Sequence, residues 1–185
     1  MSIHLMPPLF ATVIVPEGKY AGVCTSTPRA VGHLVMAEGR GVSQPFVPGK
    51  SYTIKRIDFE LAKYAEAKPC PPKMYLGVYN TGVDQVPTGS PLASKTFVPS
   101  CGDPDEWIAH QVLINCNVSL GTTYALSWRV PTPLTEPTDV AIQIRYGENH
   151  NCLPASVHAW YWDEDDGWYL DAGDIRLYYA TYELT

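Results

Sequence analysis

Hydrophobic and polar residues alternate along much of the chain, and this period of two residues is typical of β-strands with one buried face. In the segment Tyr52–Ala62, for example, Ile57, Phe59 and Leu61 fall on one face. Similar patterns predict strands at Lys73–Tyr79, Ala93–Val98, Trp107–Ile114, Tyr124–Val130 and Val140–Tyr146. Turn-forming residues separate these segments, most densely at Asn80–Leu92. The pattern predicts about eight to ten short strands and almost no helix, as in an all-β antiparallel sandwich or barrel.

The last quarter of the chain, Val157–Leu184, holds three of the five Trp and five of the twelve Tyr. Alternation predicts a strand before Asp166-Gly167, and these two residues tolerate the positive φ angles of a hairpin turn. Trp168–Asp171 is predicted to run back along that strand. A third strand is predicted next, with Ile175, Leu177 and Tyr179 on one face and Arg176, Tyr178 and Tyr182 on the other.

Residues 1–40 form the least regular part of the chain, although Leu9–Val15 could form a strand. We therefore predict an extended N-terminal arm, residues 1–40, followed by one sandwich domain, residues 41–185. The arm carries Ile, Leu, Met, Phe and Val, so it would be poorly soluble if left free. We expect it to pack on a neighbouring subunit rather than to act as a flexible leader.

Composition narrows the classes of function. The net charge is −6 and no basic stripe is visible, which argues against nucleic acid as a partner. No apolar run reaches membrane-spanning length, and the N-terminus lacks the basic region of a secretory signal, so neither membrane insertion nor a standard export signal is expected. The five Cys include no C-x-x-C pair, which argues against a zinc site and leaves disulfide formation open.

Several short motifs follow one another in a recognisable order. They are Gln44-Pro45-Phe46, Pro87-Thr88-Gly89 with Leu92-Ala93, Glu106-Trp107, Leu120–Tyr124 and Asp166-Gly167-Trp168. Over about Gly41 to Tyr182 this series resembles a jelly-roll β-sandwich module of phage virion proteins and secreted bacterial multidomain proteins. The closing hairpin departs from the family pattern, because Asp-Asp-Gly-Trp replaces Asp-Gly-Gly and a spacer before Trp. The resemblance implies a jelly-roll fold and a place in a virus particle.

Each motif also has a structural explanation that involves no chemistry. Pro87-Thr88-Gly89 is expected to set a turn, because Pro fixes φ and Gly supplies an unusual backbone angle. Gly121 is likewise expected to supply an unusual backbone angle at a turn before Tyr124. Trp107 and Trp128 are expected to fill the space between two sheets, since a buried Trp removes roughly 150–250 Å² from water.

The closing strands place a surplus of aromatic residues on the face that alternation directs away from the core. These outward aromatics are Trp160, Trp162, Tyr169, Tyr178 and Tyr182. They could form a platform on which sugar rings stack, with flanking Asp or Arg binding the hydroxyl groups. Protein interfaces are enriched in Trp, Tyr and Arg for the same reasons. We expect the face to contact protein, with a surface glycan as the alternative.

The acidic run at the predicted hairpin tip, including Asp163, Asp165 and Asp166, could hold Ca²⁺ through its carboxylates. Its spacing is not that of an EF-hand, because Gly167 is the fifth residue from Asp163 rather than the sixth. A solvated tip that discourages edge-to-edge pairing explains the same residues. We therefore predict no cofactor, with Ca²⁺ as the alternative.

No pattern in the chain indicates catalysis. The five His have neither H-x-H nor H-E-x-x-H spacing, and no Ser lies in a G-x-S-x-G motif. The sequence predicts a non-enzymatic virion protein, made in the host cytoplasm, that serves as a phage decoration, tail or fibre-associated subunit. Its partners would be other virion proteins or copies of itself. The alternative is an extracellular carbohydrate-binding module.

Overall fold

The computed structural model describes residues 13–14, 31–104, 106–133, 139–148, 160–163, 167–170, 175–177 and 179–184. Its strands are β1 (Val13–Ile14), β2 (Val31–Ala37), β3 (Arg40–Phe46), β4 (Tyr52–Lys63), β5 (Met74–Thr81), β6 (Pro87–Phe97), β7 (Ile108–Val118), β8 (Tyr124–Arg129), β9 (Ala141–Glu148), β10 (Trp160–Asp163), β11 (Gly167–Leu170), β12 (Ile175–Leu177) and β13 (Tyr179–Leu184). The described residues contain no helix of the length and hydrophobicity that a membrane span requires.

The strands form two antiparallel sheets. The six-stranded sheet has the order β11-β10-β3-β8-β5-β6. The seven-stranded sheet contains β1, β13, β4, β9 and β12, with β2 paired to β9 and β7 paired to β4. The inner faces of both sheets supply one buried cluster of apolar side chains. The predicted all-β antiparallel sandwich is therefore confirmed.

The last quarter of the chain contributes to both sheets. β10 and β11 pair as the predicted hairpin, and Gly167 at its second strand has a φ of +75°. β12 and β13 instead pair with β9 and β4 of the seven-stranded sheet. Leu177 and Tyr179, predicted to share one face, are both buried, whereas the side chain of Ile175 lies outside the described residues. The segment predicted as one third strand thus forms two strands, β12 and β13, in the sheet opposite the hairpin.

Within residues 1–40, both described strands pair with strands of the same chain. β1 lies beside the end of β13, with Val13 opposite Leu184. β2 pairs with β9 along its whole length, from Val31 to Ala37, and so belongs to the seven-stranded sheet. Residues 1–12 and 15–30 lie outside the described residues.

The Pro87-Thr88-Gly89 motif lies inside a strand, so its predicted position at a turn is wrong. The chain turns earlier, where Gln85 has a φ of +63° and donates its backbone N–H to the carbonyl of Gly82. β6 then begins at Pro87 and carries extra residues where its register with β5 shifts. Gly89 lies at this irregularity with a φ of +67°. Gly89 thus has the unusual φ angle that was predicted, but this angle accommodates a β-bulge instead of a turn.

β7 extends further than the predicted strand Trp107–Ile114, because it continues to Val118. Alternate residues of this strand, including Ile114, Cys116 and Val118, are buried. Asn115 and Asn117, which lie between these three residues, are polar and exposed. The alternation therefore extends through residues that resemble a loop in composition.

Aromatic side chains from both sheets meet in the core around Trp128 of β8. Its ring centroid lies 5.6 Å from that of Phe59 in β4 and 5.9 Å from that of Tyr179 in β13. Trp128 is fully buried, which confirms its predicted position between the sheets. Trp107 lies before β7 and is only partly buried, so the same prediction for Trp107 is wrong.

A buried amide also connects the two sheets. The side-chain oxygen Oε1 of Gln44 in β3 accepts a hydrogen bond from the backbone N–H of Leu177 in β12, at 3.0 Å. Phe46, two residues further along β3, points into the same core and is fully buried. The Gln-x-Phe motif thus acts through packing and one intersheet hydrogen bond.

Cys70 and Cys101 form a disulfide between the segment that precedes β5 and the segment that follows β6. Cys116 is a free, buried thiol, and burial raises its pKa. The sequence left disulfide formation open, and the structure establishes it for Cys70 and Cys101. Cys24 and Cys152 lie outside the described residues.

His110 is a buried, neutral histidine. Its ring stacks on Phe59, with centroids 5.6 Å apart and an interplanar angle of 12°. The backbone N–H of Ser100 donates to Nε2 at 2.9 Å, which leaves Nδ1 to donate to the carbonyl of Ile108 at 2.8 Å. Burial lowers the pKa of His110 below its ordinary value.

Replacing His110 should therefore change how stability depends on pH. The unfolded chain binds a proton more readily than the folded one, so the contribution of His110 is complete above about pH 6.5 and is lost as the pH falls through its folded pKa. In urea unfolding from about pH 8 to about pH 5, the stability difference between the wild type and His110→Gln should shrink towards acid. A difference that stays constant would contradict this assignment.

Candidate functional site

One row of residues crosses the outer face of the six-stranded sheet. Trp168 of β11 lies opposite Trp162 of β10, and Trp162 lies opposite Gly41 of β3. Gly41 lies opposite Arg129 of β8, which in turn lies opposite Tyr75 of β5. Residues directly opposite each other project to the same side of a sheet. The row therefore brings three aromatic rings and one guanidinium group to one surface.

Gly41 provides the space that lets the side chain of Arg129 lie across the sheet. A Cβ atom at this position would come within 2.6 Å of Cγ of Arg129 and within 2.6 Å of the carbonyl oxygen of Trp128. Both separations are shorter than any ordinary contact, so a larger residue at position 41 would force the arginine to move.

The guanidinium group of Arg129 lies among four aromatic rings. Its Cζ atom is 4.8 Å from the ring centre of Trp162, 5.3 Å from that of Tyr79, 5.5 Å from that of Tyr75 and 5.5 Å from that of Trp168. These distances are within the roughly 6 Å range of cation–π attraction. We call these five residues the arginine cage.

Hydrogen bonds fix the orientation of the caged side chain. Nη2 of Arg129 donates to the hydroxyl of Tyr79, and Nε donates to Oγ of Ser127 at 3.3 Å. The Tyr79 hydroxyl in turn donates to that of Tyr75 at 3.3 Å. Burial, together with this bond to Tyr75, raises the pKa of Tyr79, although the charge of Arg129 acts in the opposite direction. Tyr79 therefore remains a neutral phenol beside the cation.

A second glycine makes room for the two tyrosines. Gly77 lies between Tyr75 and Tyr79 on β5, and a Cβ there would come within 2.7 Å of the Tyr79 ring and 2.9 Å of the Tyr75 ring. On the neighbouring strands the positions level with Gly77 are Ser127 and Ser43, both small and fully buried. Small residues thus form the floor over which the larger side chains lie.

The arginine cage borders an open groove of about 410 Å³. Its lining consists of Lys73, Tyr75, Tyr79, Thr96, Arg129, Pro131, Thr132 and Trp162. The described lining thus combines aromatic rings, hydroxyl groups and two cations. Flat apolar surfaces with a few placed polar groups are typical of small-ligand sites.

The outward aromatics predicted from the sequence are distributed over both sheets. Trp160 and Trp162 both lie on β10, and Trp162 is part of the arginine cage. Tyr169 is in register with Tyr161, and its side chain lies outside the described residues. Tyr182 lies opposite Arg56 on β13 of the seven-stranded sheet, whereas β10 belongs to the six-stranded sheet. Tyr178 lies outside the described residues.

The acidic hairpin is described only at Asp163. This residue is buried, and its carboxylate pairs with Nη2 of Arg40 at 2.8 Å. Asp165 and Asp166 lie outside the described residues. No metal-binding group of three His, Cys, Asp or Glu side chains occurs in the described part of the chain. The Ca²⁺ alternative stays a prediction.

Most of the arginine cage was not predicted from the sequence. The sequence predicted a strand over Lys73–Tyr79 but assigned no site role to Tyr75, Tyr79, Arg129 or Trp168. The signal that could have drawn attention to Arg129 is its position next to the inward Trp128, which directs it outward. The order of the strands, which brings these side chains together, is not encoded in local alternation.

Comparisons with known proteins identify no family for the chain. No protein-family model matches it, and no curated protein is significantly similar to it. The function must therefore be argued from the geometry of the groove.

Replacing Gly41 by Ala should destabilise the protein by about 1–3 kcal/mol, because the new methyl group overlaps Cγ of Arg129 and a backbone carbonyl. In an Arg129→Ala background the same change should cost less, since one of the two overlaps is removed. Urea unfolding of the four proteins in this double-mutant cycle measures the difference. Equal costs in both backgrounds would show that Gly41 does not make room for Arg129.

Proposed function

We propose that the protein is a non-enzymatic carbohydrate-binding β-sandwich, carried on a virus particle as an attachment subunit. The observation that supports binding is the groove beside the arginine cage. Its rings offer flat apolar surfaces for the faces of sugar rings, and its cations and hydroxyl groups offer hydrogen bonds to sugar oxygens. The virion setting comes from the motif series in the sequence.

The fixed orientation of the side chains beside the groove favours binding of a ligand that is itself rigid. Arg129 is oriented by four rings and by hydrogen bonds to Tyr79 and Ser127, so little side-chain freedom remains to be lost on binding. The groove is open to one side, which suits a unit within a longer saccharide. The paired carboxylates of glycoside hydrolases are not among its described lining residues.

Trp162 is the best residue with which to test carbohydrate binding. We expect the full chain to bind at least one saccharide on a glycan array, and Trp162→Ala to reduce that binding by about tenfold or more, because the stacking surface and one wall of the cage are lost. Tyr64→Ala is the matched control, since Tyr64 is an exposed aromatic that does not line the groove. Thermal unfolding of both variants checks that the fold is retained.

Two results would contradict the proposal. The first is that the full chain binds no saccharide, and the second is that Trp162→Ala binds as tightly as the wild type. Loss of binding in Tyr64→Ala as well as in Trp162→Ala would point to general destabilisation instead of a groove effect.

A second candidate function is a structural virion subunit that assembles through its N-terminal arm. The motif series favours it, and so does the apolar content of residues 1–30. A deletion that ends at residue 30 keeps β2, which pairs with β9 along its whole length, and removes from the described sheet the two-residue β1 beside β13.

If the arm drives assembly, the full chain should form oligomers and a chain lacking residues 1–30 should be a monomer. Light scattering after size-exclusion chromatography measures both masses, and circular dichroism checks that the shortened chain keeps its remaining strands. Monomers in both cases would count against assembly of this chain through its arm.

A further inference from the structure

We propose that the saccharide bound in the groove is acidic, a sugar that carries a carboxylate. This inference rests on the proposed carbohydrate-binding function and deepens it. Its basis is the charge of the lining, which includes Arg129 and Lys73 and, among the described residues, no Asp or Glu. The whole chain has 19 acidic and 13 basic residues, so a groove whose described charged residues are all cations departs from the overall balance.

Four cations outside the groove pair with a carboxylate in the described structure. Arg40 pairs with Asp163, Lys50 with Glu183, Arg56 with Asp58 and Lys68 with Asp139. Within the described residues, neither Arg129 nor Lys73 has a carboxylate partner. Their positive charges are therefore not neutralised by any acid of the described structure.

Arg129 also has hydrogen-bonding capacity that the described residues do not use. A guanidinium group has five N–H donors. The bonds from Nε to Ser127 and from Nη2 to Tyr79 occupy two of them. The surrounding rings displace part of the water that would solvate the others. A carboxylate is the group best matched to such a donor, because charge-assisted bonds to guanidinium are short, strong and frequently paired.

The rings determine which kind of carboxylate fits. A free inorganic anion would gain nothing from Trp162 or Tyr75, which line the same groove as the cations. A uronic or sialic acid presents an apolar ring face and a carboxylate in one rigid unit. Such a sugar can stack on an aromatic side chain and bind Arg129 at the same time, and Lys73 adds a second positive charge.

Matched pairs of ligands provide the test, measured by isothermal titration calorimetry with the full chain. The pairs are oligogalacturonate with its carboxyl-reduced form, and sialyllactose with lactose. We expect at least one acidic member to bind about tenfold or more tightly than its neutral partner. That preference should fall as salt is raised, because the ligand charge is then screened.

Two variants connect the preference to the proposed residues. Lys73→Gln removes a charge and leaves every residue of the arginine cage in place, so it should lower affinity for the acidic sugar with little effect on the neutral one. Arg129→Lys keeps the charge but loses the paired N–H donors, and it should lose most of the preference. Lys95→Gln, an exposed change outside the groove lining, is the matched control and should have no effect.

The possible failures are distinguishable. Equal affinity for acidic and neutral partners would overturn the acidic ligand and leave carbohydrate binding standing. Binding of none of the four saccharides, together with no binding on the glycan array, would overturn both. An acidic preference that persists in Lys73→Gln and in Arg129→Lys would place the carboxylate elsewhere on the protein and overturn the assignment to this groove.

Discussion

The register of β8 is the constraint on which both the core and the groove depend. Trp128 and Arg129 are neighbours in this strand, and one points between the sheets while the other points outward. A shift by one residue would exchange the two faces and place a charged guanidinium in the apolar core. Burying an unpaired charge is so costly that the packing of Trp128 also fixes the position of Arg129. The stability of the sandwich and the geometry of the arginine cage are thus set by the same strand.

Much of the fold could be predicted from alternation because the pattern is local. The inward faces of β4, β5 and β8 follow directly from residues such as Phe59, Leu76 and Leu126, all of which are buried. Predictions failed where composition and conformation disagree. Pro87 and Gly89 have the composition of a turn but lie within β6, and β7 continues through polar residues that resemble a loop.

The candidate site could be predicted only in part, because it depends on contacts between distant segments. Trp162 was predicted to point outward, and that alone did not reveal its neighbours. The cage forms because β10 pairs with β3, and β3 with β8, which joins residues more than eighty positions apart in the chain. Gly41 illustrates the difficulty, since its absent side chain matters only once Arg129 is known to lie opposite. The local sequence does not indicate that the missing side chain at position 41 leaves space for Arg129.

The disulfide between Cys70 and Cys101 has a mechanical consequence for a protein whose ends are pulled. The bond encloses all of β5 and β6, and the two cysteines are 31 positions apart. If the sandwich were drawn apart, tension would pass through the sulfur atoms, and roughly 100 Å of enclosed chain could not be extended. Lys73, Tyr75, Tyr79 and Thr96 all lie inside this enclosed loop. One wall of the groove therefore belongs to a segment that force along the chain cannot stretch until the covalent bond is broken.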